Sequence, residues 1–550
     1  MGMGMIKGQL RSTVAAALML TAVAPALAQV SPGQVRDTLP TPAPRPATAP
    51  PRVSTPTPTP APASPSLAPL TVSLQAISFE GNTTFPDAVL EPLVQPYLNR
   101  PLSLADIYAA ADAVERFHAE RGYPLVSVVV PPQKITVGRV TMQVIEATVG
   151  EIRFEGLRRY RPAQLRAILP VTPGEPYTQA PLEQGLFRLN DLPGLQARAV
   201  IRPGAAFGTS DIVVRARETA MAGSLTLDQH GRDAIGEFRL TGRMQLNNPL
   251  RLGDALTLTV LASEDALLTY GAVGYSVPIN RVGTRLEAYF GQAAFETDVL
   301  APIDGTSREA RIGFRHPVSR SHRWSLDLTG GYTDLESDTD LLGTTFSGTE
   351  IQLFDIGLQA NHRGAGGANS RLAVVASTDF DEQTRAGLNP GGNGVVEGHQ
   401  RLRLQLSAHR HQPLAPTWTL LLRADATYSP DPLVDTQAFG LGGPGTVRGY
   451  PASEFRGDQG IVAGIDVARR FTMPGGAFIP RVFVDGGTVR RLDLPAGADD
   501  RDSISSAGIG VDLHLSPASL SLDWAFPLQD RVVSDGENVS RVYGTLSVHF

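Results

Sequence analysis

From residue 218 onward the chain is written in a two-residue period, apolar and polar side chains alternating in segment after segment between clusters of Gly, Asp, Asn and Pro. In residues 401–410, Leu402, Leu404, Leu406 and Ala408 fall on one face, and Arg401, Arg403, Gln405, Ser407 and His409 on the other. Residues 418–428 set Trp418, Leu420, Leu422, Ala424, Ala426 and Tyr428 against Thr419, Arg423, Asp425 and Thr427. Residues 519–526 do the same with Leu520, Leu522, Trp524 and Phe526. Successive side chains of a strand point to opposite faces, so each segment separates oil from water. Aromatics sit at the ends of the apolar faces, where membrane interfaces would lie. Segments of roughly 8 to 12 residues of this kind number between about 14 and 18, with 16 the best figure, and even counts are the rule for single-chain outer-membrane barrels. A soluble β-sandwich or propeller competes, but such strands do not ordinarily point arginines inward and leucines outward at this length. The last segment, 542–550, ends on Phe550 on its apolar face, as a barrel closing its last strand onto its first requires. No stretch approaches the roughly 18 consecutive apolar residues of a spanning helix, so membrane insertion would have to be by barrel.

Ahead of the barrel the composition changes three times. Residues 1–28 read as a secretory signal peptide: Lys7 and Arg11 make a positive start, 14–23 is apolar, and Ala26-Leu27-Ala28 is a small-x-small cleavage site. Residues 29–72 are a Pro-rich linker of polyproline-II character, either a passive spacer or a segment that reaches into the rest of the molecule. Residues 73–147 form an α/β module in the order strand, helices, strand, strand, with Ile107, Ala111, Val114 and His118 on one helix face and Gly122 ending that helix. Residues 148–217 repeat the order, a repeat of about 70 residues. The fold class is therefore a membrane β-barrel of about 16 antiparallel strands, residues 218–550, preceded by two small α/β domains.

Several chemistries are excluded. With no Cys in 550 residues, there is no disulfide framework, Cys-ligated metal or thiol nucleophile. The lysines are Lys7 and Lys134, so no phosphate-binding P-loop can form in a folded region. A net charge of -6 gives no basic footprint for nucleic acid. Neither GxSxG nor HExxH occurs, no cofactor or metal is expected, and the chain does not read as an enzyme. His409 and His411 share a strand face and are read as polar lumen residues, and the glycines of 442–445 as turn chemistry.

Other sequences carry a resemblance. FEGNTTF at 79–85, the run 121–152 and LNDLPGLQARAVIRPGAAFGTSDIVV at 189–214 resemble the two periplasmic POTRA domains of the TpsB-type two-partner secretion transporters, the haemolysin and filamentous-adhesin secretion/activation proteins. Val447-Arg448-Gly449-Tyr450 resembles that family's motif at the tip of a long loop, here near 429–458, and Phe483, Asp485 and Gly487 match its F-x-D-x-G barrel-wall motif. The resemblance implies that the loop folds into the lumen with Arg448 paired to Asp485. Where relatives continue after the loop with an Asn-Glu-Leu-like strand, this chain has Gly464-Ile465-Asp466-Val467. Relatives with a plug carry an N-terminal helix; here Pro-rich sequence begins almost at once, and no helical plug is expected.

The implied function is export across the Gram-negative outer membrane. POTRA domains in the periplasm catch an unfolded secreted TpsA-like exoprotein, a haemolysin, adhesin or similar, by strand addition, and a wet lumen passes it outward. Further implied partners are outer-membrane lipid and the barrel-assembly and periplasmic chaperone machinery that inserts the transporter. The alternatives are a barrel assembly or insertion factor of the same superfamily and a passive porin. The client's identity and the oligomeric state are not written in the sequence.

Overall fold

The computed structural model describes residues 31–40, 53–54, 72–135, 138–297, 303–385, 401–492, 494, 497–531, 534, 536 and 539–550. The signal-peptide reading lies outside them. Two compact units emerge, 48–219 and the barrel unit formed by 1–47 and 220–550.

In the first unit the sequence repeat is a structural one. Ala76–Glu80 pairs in parallel with Arg139–Glu146, which pairs antiparallel with Val126–Val129. Helix Leu104–Glu120 covers this sheet, started by a reciprocal Ser103/Asp106 cap and burying Ile107, Ala110, Ala111, Val114 and His118 at helical spacing. The second module has Thr148–Glu155, Leu195–Pro203 and Thr209–Glu218 in one sheet, with helix Gln179–Asn190 burying Leu182, Leu186 and Leu189. Both modules end their first strand on Phe-Glu-Gly, and both close on a glutamate at the end of the last strand. Glu146 accepts from the backbone N–H of Thr83 and Thr84, each at 2.9 Å. Glu218 accepts likewise from Arg158 at 2.9 Å and Arg159 at 2.8 Å. Those turn amides would otherwise lack partners, so the same carboxylate clamp is used twice.

The linker is not a passive spacer throughout. Val53–Ser54 adds a parallel strand to the edge of Leu195–Pro203, with Val53 opposite Ala199 and Ser54 opposite Val200. An edge strand offers unpaired backbone groups, and two β-permissive residues between prolines suffice to take some of them.

The second unit is a closed antiparallel barrel, each strand paired with its sequence neighbours. Among the described residues it has sixteen strands, counting Gln459–Arg469 and Phe471–Met473 as one strand broken at Arg470. The first, Met221–Asp228, pairs with the last, Arg541–His549, from Ser224/His549 to Asp228/Thr545. Phe550 and Gly223 exchange two further backbone bonds, at 2.9 and 3.0 Å. A Cβ on Gly223 would lie 2.5 Å from the Phe550 ring, so glycine lets the terminal aromatic close the seam.

Strand lengths depart from the uniform spans expected. Ile303–Arg320, Trp324–Leu341, Thr344–Arg363 and Asn369–Arg385 run 18, 18, 20 and 17 residues, where about 9–11 suffice to cross a membrane. The outward face explains the excess. On Trp324–Leu341 it carries Leu328 and Tyr332, then Asp334, Glu336, Asp338 and Asp340. Above Tyr332 the outward faces of these strands stand in water.

Candidate functional site

The loop 429–458 joins Trp418–Tyr428 to Gln459–Arg469 and folds into the barrel because its own residues complete an apolar cluster there. Leu441, Val447 and Tyr450 pack against the inward-facing Val462, Val489 and Ile504, and Tyr450 is fully buried. The tip must turn sharply: Gly442, Gly443 and Gly449 all have positive φ, which glycine adopts without strain. The Thr446 hydroxyl brackets the turn, accepting from the Gly442 N–H at 2.8 Å and donating to its carbonyl at 2.7 Å. The glycine run is thus turn chemistry. Tyr543 on the last strand anchors the tip, its hydroxyl accepting from Gly449 N–H at 3.0 Å and donating to the Tyr450 carbonyl at 2.8 Å.

This geometry delivers Arg448 to the barrel wall, where each member of F-x-D-x-G meets the loop. The Arg448 guanidinium is bidentate on Asp485, Nε to Oδ2 at 2.7 Å and Nη2 to Oδ1 at 3.0 Å. It lies 3.4 Å over the Phe483 ring, a cation–π contact in a dry setting. Gly487 makes room for Leu441, whose Cδ1 lies 2.5 Å from where a Cβ would stand. Burial alone would weaken the charge on Arg448, but the carboxylates of Asp485 and Asp466 outweigh it and hold its pKa above the usual arginine range.

Sequence reasoning missed much of the network. Asp466, in the segment that departs from the family pattern, binds Arg448 on its remaining edge at 2.9 and 3.1 Å. Gly464 leaves the space in which Arg423 reaches Asp485 at 2.8 Å. Arg481 joins Asp523 at 2.7 Å and also pairs with Asp512. Three guanidiniums, Arg423, Arg448 and Arg481, face four carboxylates, Asp466, Asp485, Asp512 and Asp523. Fork geometry suits arginine to such shared, bidentate pairing. In place of the family's wall sequence the chain therefore has an aspartate that binds Arg448 and a glycine that admits Arg423 to Asp485.

The absence of a helical plug, expected from the Pro-rich N-terminus, is overturned. Pro32–Thr38 is a seven-residue helix packed inside the barrel, with Ser31 as N-cap, Pro32 at the first turn and a reciprocal Ser31/Gln34 capping box. It rests on the loop. The Gly33 N–H donates to Asp435 Oδ2 at 2.7 Å, the Gln34 amide to the Ser453 carbonyl at 3.1 Å, and the Ser453 hydroxyl to Asp37 at 2.6 Å. Buried Arg456 ties Asp37 to Asp435, and Arg239 of the wall caps the helix C-terminus at the Thr38 carbonyl. Burial works against the charge of Arg456, and Asp37 and Asp435 more than restore it, raising its pKa. A side chain at Gly33 would strike Arg456 and Asp435, so this glycine is fixed by the docking. A seven-residue helix is too short to stand alone in water; its order comes from these contacts.

Comparison with known proteins decides the family. The model of the haemolysin secretion/activation proteins ShlB/FhaC/HecB matches residues 208–513. The chain belongs to this family. A ShlB-type POTRA model matches 72–147 and a further POTRA model 147–207. The outer membrane transporter CdiB of Escherichia coli is 27% identical over 402 residues, 70% of this chain and 67% of the relative. The hemolysin transporter protein ShlB of Serratia marcescens is 24% identical over 445 residues, 77% and 76% of the two chains. The solved structure of CdiB from Escherichia coli superposes with a TM-score of 0.68 at 23% identity over 90% of this chain and 93% of that one. BamA from Haemophilus ducreyi, lacking POTRA domains 1–3, gives 0.56 at 15% identity over 87% of this chain and 100% of that one. This two-partner secretion transporter therefore sits in the outer membrane with its POTRA domains in the periplasm. Members of the family are transporters rather than enzymes. With the first barrel strand entering from the periplasmic rim, the rim carrying loop 429–458 is extracellular.

Proposed function

We propose that this chain exports one large secreted exoprotein of the haemolysin or adhesin class, received unfolded at the POTRA sheet edges and passed through the lumen, and that it carries out no catalysis itself. The observation that supports this best is how the lumen is closed. Two segments, the loop 429–458 and the helix Pro32–Thr38, fill it through ion pairs and hydrogen bonds that water can replace. A porin needs no such removable seal. A barrel that inserts other barrels would profit from a free strand edge, and here the first and last strands are paired through to Phe550.

In this reading Arg448 on Asp485 holds the loop at rest and lets go during transport. A lumen wall of Arg311, Asp327, Asp355 and Gln359 keeps the periplasmic half wet, so a moving chain is not held there. With no nucleotide motif, folding of the client outside would bias movement outward. Outer-membrane lipid, periplasmic chaperones and the barrel-assembly machinery would serve the transporter's own insertion.

The test is deletion of the gene in its native host and plasmid complementation, with mass spectrometry of supernatants and surface digests. One large β-rich protein lost and restored is the expected result. A joint fall of many outer-membrane barrels would replace the proposal with the assembly reading.

A further inference from the structure

The lumen wall changes character with depth. On Thr344–Arg363 the even positions Phe354, Ile356 and Leu358 face lipid, and the inward position between them is Asp355. Toward the extracellular end the strand keeps its phase but the apolar set changes sides: Ile351 and Leu353 face inward and are buried, with Glu350 and Gln352 on the other face. Its neighbours do the same. Arg285–Glu296 shows Leu286 and Phe290 to lipid and then Phe295 to the lumen, and Ile303–Arg320 shows Ile312 and Phe314 to lipid and Ile303 to the lumen. Because side chains alternate strictly, a strand that swaps its apolar parity without a break moves its oily face from outside to inside.

The resulting crescent, from Leu261 and Leu268 through Phe295 and Ile303 to Ile351 and Leu353, is covered at rest by this chain's own aliphatic side chains. Val35 of the plug helix and Ile235 of the loop 229–238 pack into its first part, at 1% and 0% exposure, and Val434 of the long loop into its second. Each covering segment contributes one or two small branched or aliphatic groups on an otherwise polar stretch. Any chain that threads the lumen after the plug has left must pass this surface.

We propose that this extracellular crescent is a binding surface for the client, taking small β-branched side chains presented at alternate positions of an extended chain in the seats that Val35, Ile235 and Val434 fill at rest. The proposal rests on the export reading. The periplasmic half of the lumen is polar and lets the chain slide; the extracellular half gives an emerging strand its first apolar partner. Retention at the mouth opposes slippage back before the client has folded, because apolar side chains must return to water to retreat. The wall fits one class of occupant, since the seats are filled by Val and Ile and rimmed by polar residues.

The test uses the full chain purified in planar bilayers, with the plug displaced either by deleting 31–39 or by Val35→Glu, so that failure of one variant to fold leaves the other. Heat-modifiable gel mobility confirms the barrel in each. The probes are ten-residue peptides alternating Val with Thr, or Ser with Thr, added at the POTRA side. The Val peptide should block the current at least tenfold longer than the Ser peptide, and Leu268→Ser with Ile303→Ser should bring the two together. Equal dwell times for the two peptides, no block by either, or a difference that survives the double substitution would overturn the proposal. None of these results depends on the native client, so a failure here is distinct from a failure of the export reading, which the supernatant comparison judges.

Discussion

Replacing Arg448 with alanine should open the loop without unfolding the barrel. The side chain is 6% exposed and touches Asp485, itself fully buried, and Asp466. Removing one partner of a buried pair costs about 3–5 kcal/mol, because the other charge stays behind unpaired. Here Asp485 keeps Arg423 and Asp466 keeps a weaker approach from Arg481 at 3.8 Å, which places the loss near the lower figure. That loss falls on the locked loop and not on the open one. About 3 kcal/mol shifts the closed-to-open ratio by roughly a hundredfold. The chain has no cysteine, so a single Val447→Cys substitution reports the opening cleanly. Val447 is fully buried at rest, and the rate at which a thiol placed there reacts with an impermeant maleimide follows the open fraction. The expected outcome is labelling about a hundredfold faster in Arg448→Ala, an intermediate rate in Arg448→Lys, which keeps a charge but not the fork, and weak secretion at equal barrel levels. An unchanged labelling rate in a correctly folded barrel would show that the apolar cluster around Tyr450 alone holds the loop.

The plug gives a second prediction: Asp37→Ala or Arg456→Ala should raise the resting ion conductance severalfold, and the exchange Asp37→Arg with Arg456→Asp should restore part of the seal, read in planar bilayers. Ser54→Pro should release the linker from the POTRA sheet, seen as faster hydrogen exchange at the amides of Ala199 and Ile201, which face the linker strand, with exchange at Val200, which faces Thr209–Glu218, unchanged. The carboxyl of Glu146 loses something to burial but gains more from the hydrogen bonds of Thr83 and Thr84, and its pKa lies below the usual glutamate value. Its clamp therefore stabilises the first POTRA domain fully above the unfolded glutamate pKa near 4.5 and loses that contribution as pH falls through the lower folded value. Exchange protection around Thr83 and Thr84 should drop over that acidic window, and Glu146→Gln should remove the dependence.

The barrel was legible because its physical cause is periodic: Leu402, Leu404 and Leu406 must face lipid, and Arg401 and Arg403 must not. The tip and wall motifs were legible as a resemblance, but what each residue does was not, since the contact of Phe483 with Arg448 and the space that Gly487 leaves for Leu441 are properties of two distant segments meeting. Asp466 showed in the sequence only as part of a departure from the family's strand, with nothing to tie it to Arg448. The plug helix escaped because seven residues carry too little periodicity to stand out beside a run of prolines, although Ser31 and Gln34 already spelled its capping box and Pro32 fits a first turn. The parity swap between Leu353 and Phe354 was also present in the letters. It reads as a defect in an alternating pattern until the strand's 20-residue length shows that its outer part has left the membrane.

The two seals share one support, which bears on the order of opening. Arg448 and Arg456 lie on the same limb of the loop, either side of the buried Tyr450, and the helix touches that limb through Ser453 and Arg456 and the opposite limb through Asp435. If the loop lifted first, it would strip the helix of Asp435, Ser453 and Arg456 together and leave it Arg239, Glu309 and the apolar seat of Val35. If the helix left first, the contacts of Arg448 with Asp485 and Asp466 would all remain. Departure of the helix thus breaks one set of contacts, whereas departure of the loop breaks two, and the cheaper order is helix before loop. In the Val447→Cys background the two single perturbations should therefore be asymmetric: Arg456→Ala frees the plug and leaves the reporter thiol slow to label, while Arg448→Ala both exposes that thiol and raises conductance. Equal exposure of the reporter in both variants would mean that loop and helix move as one body.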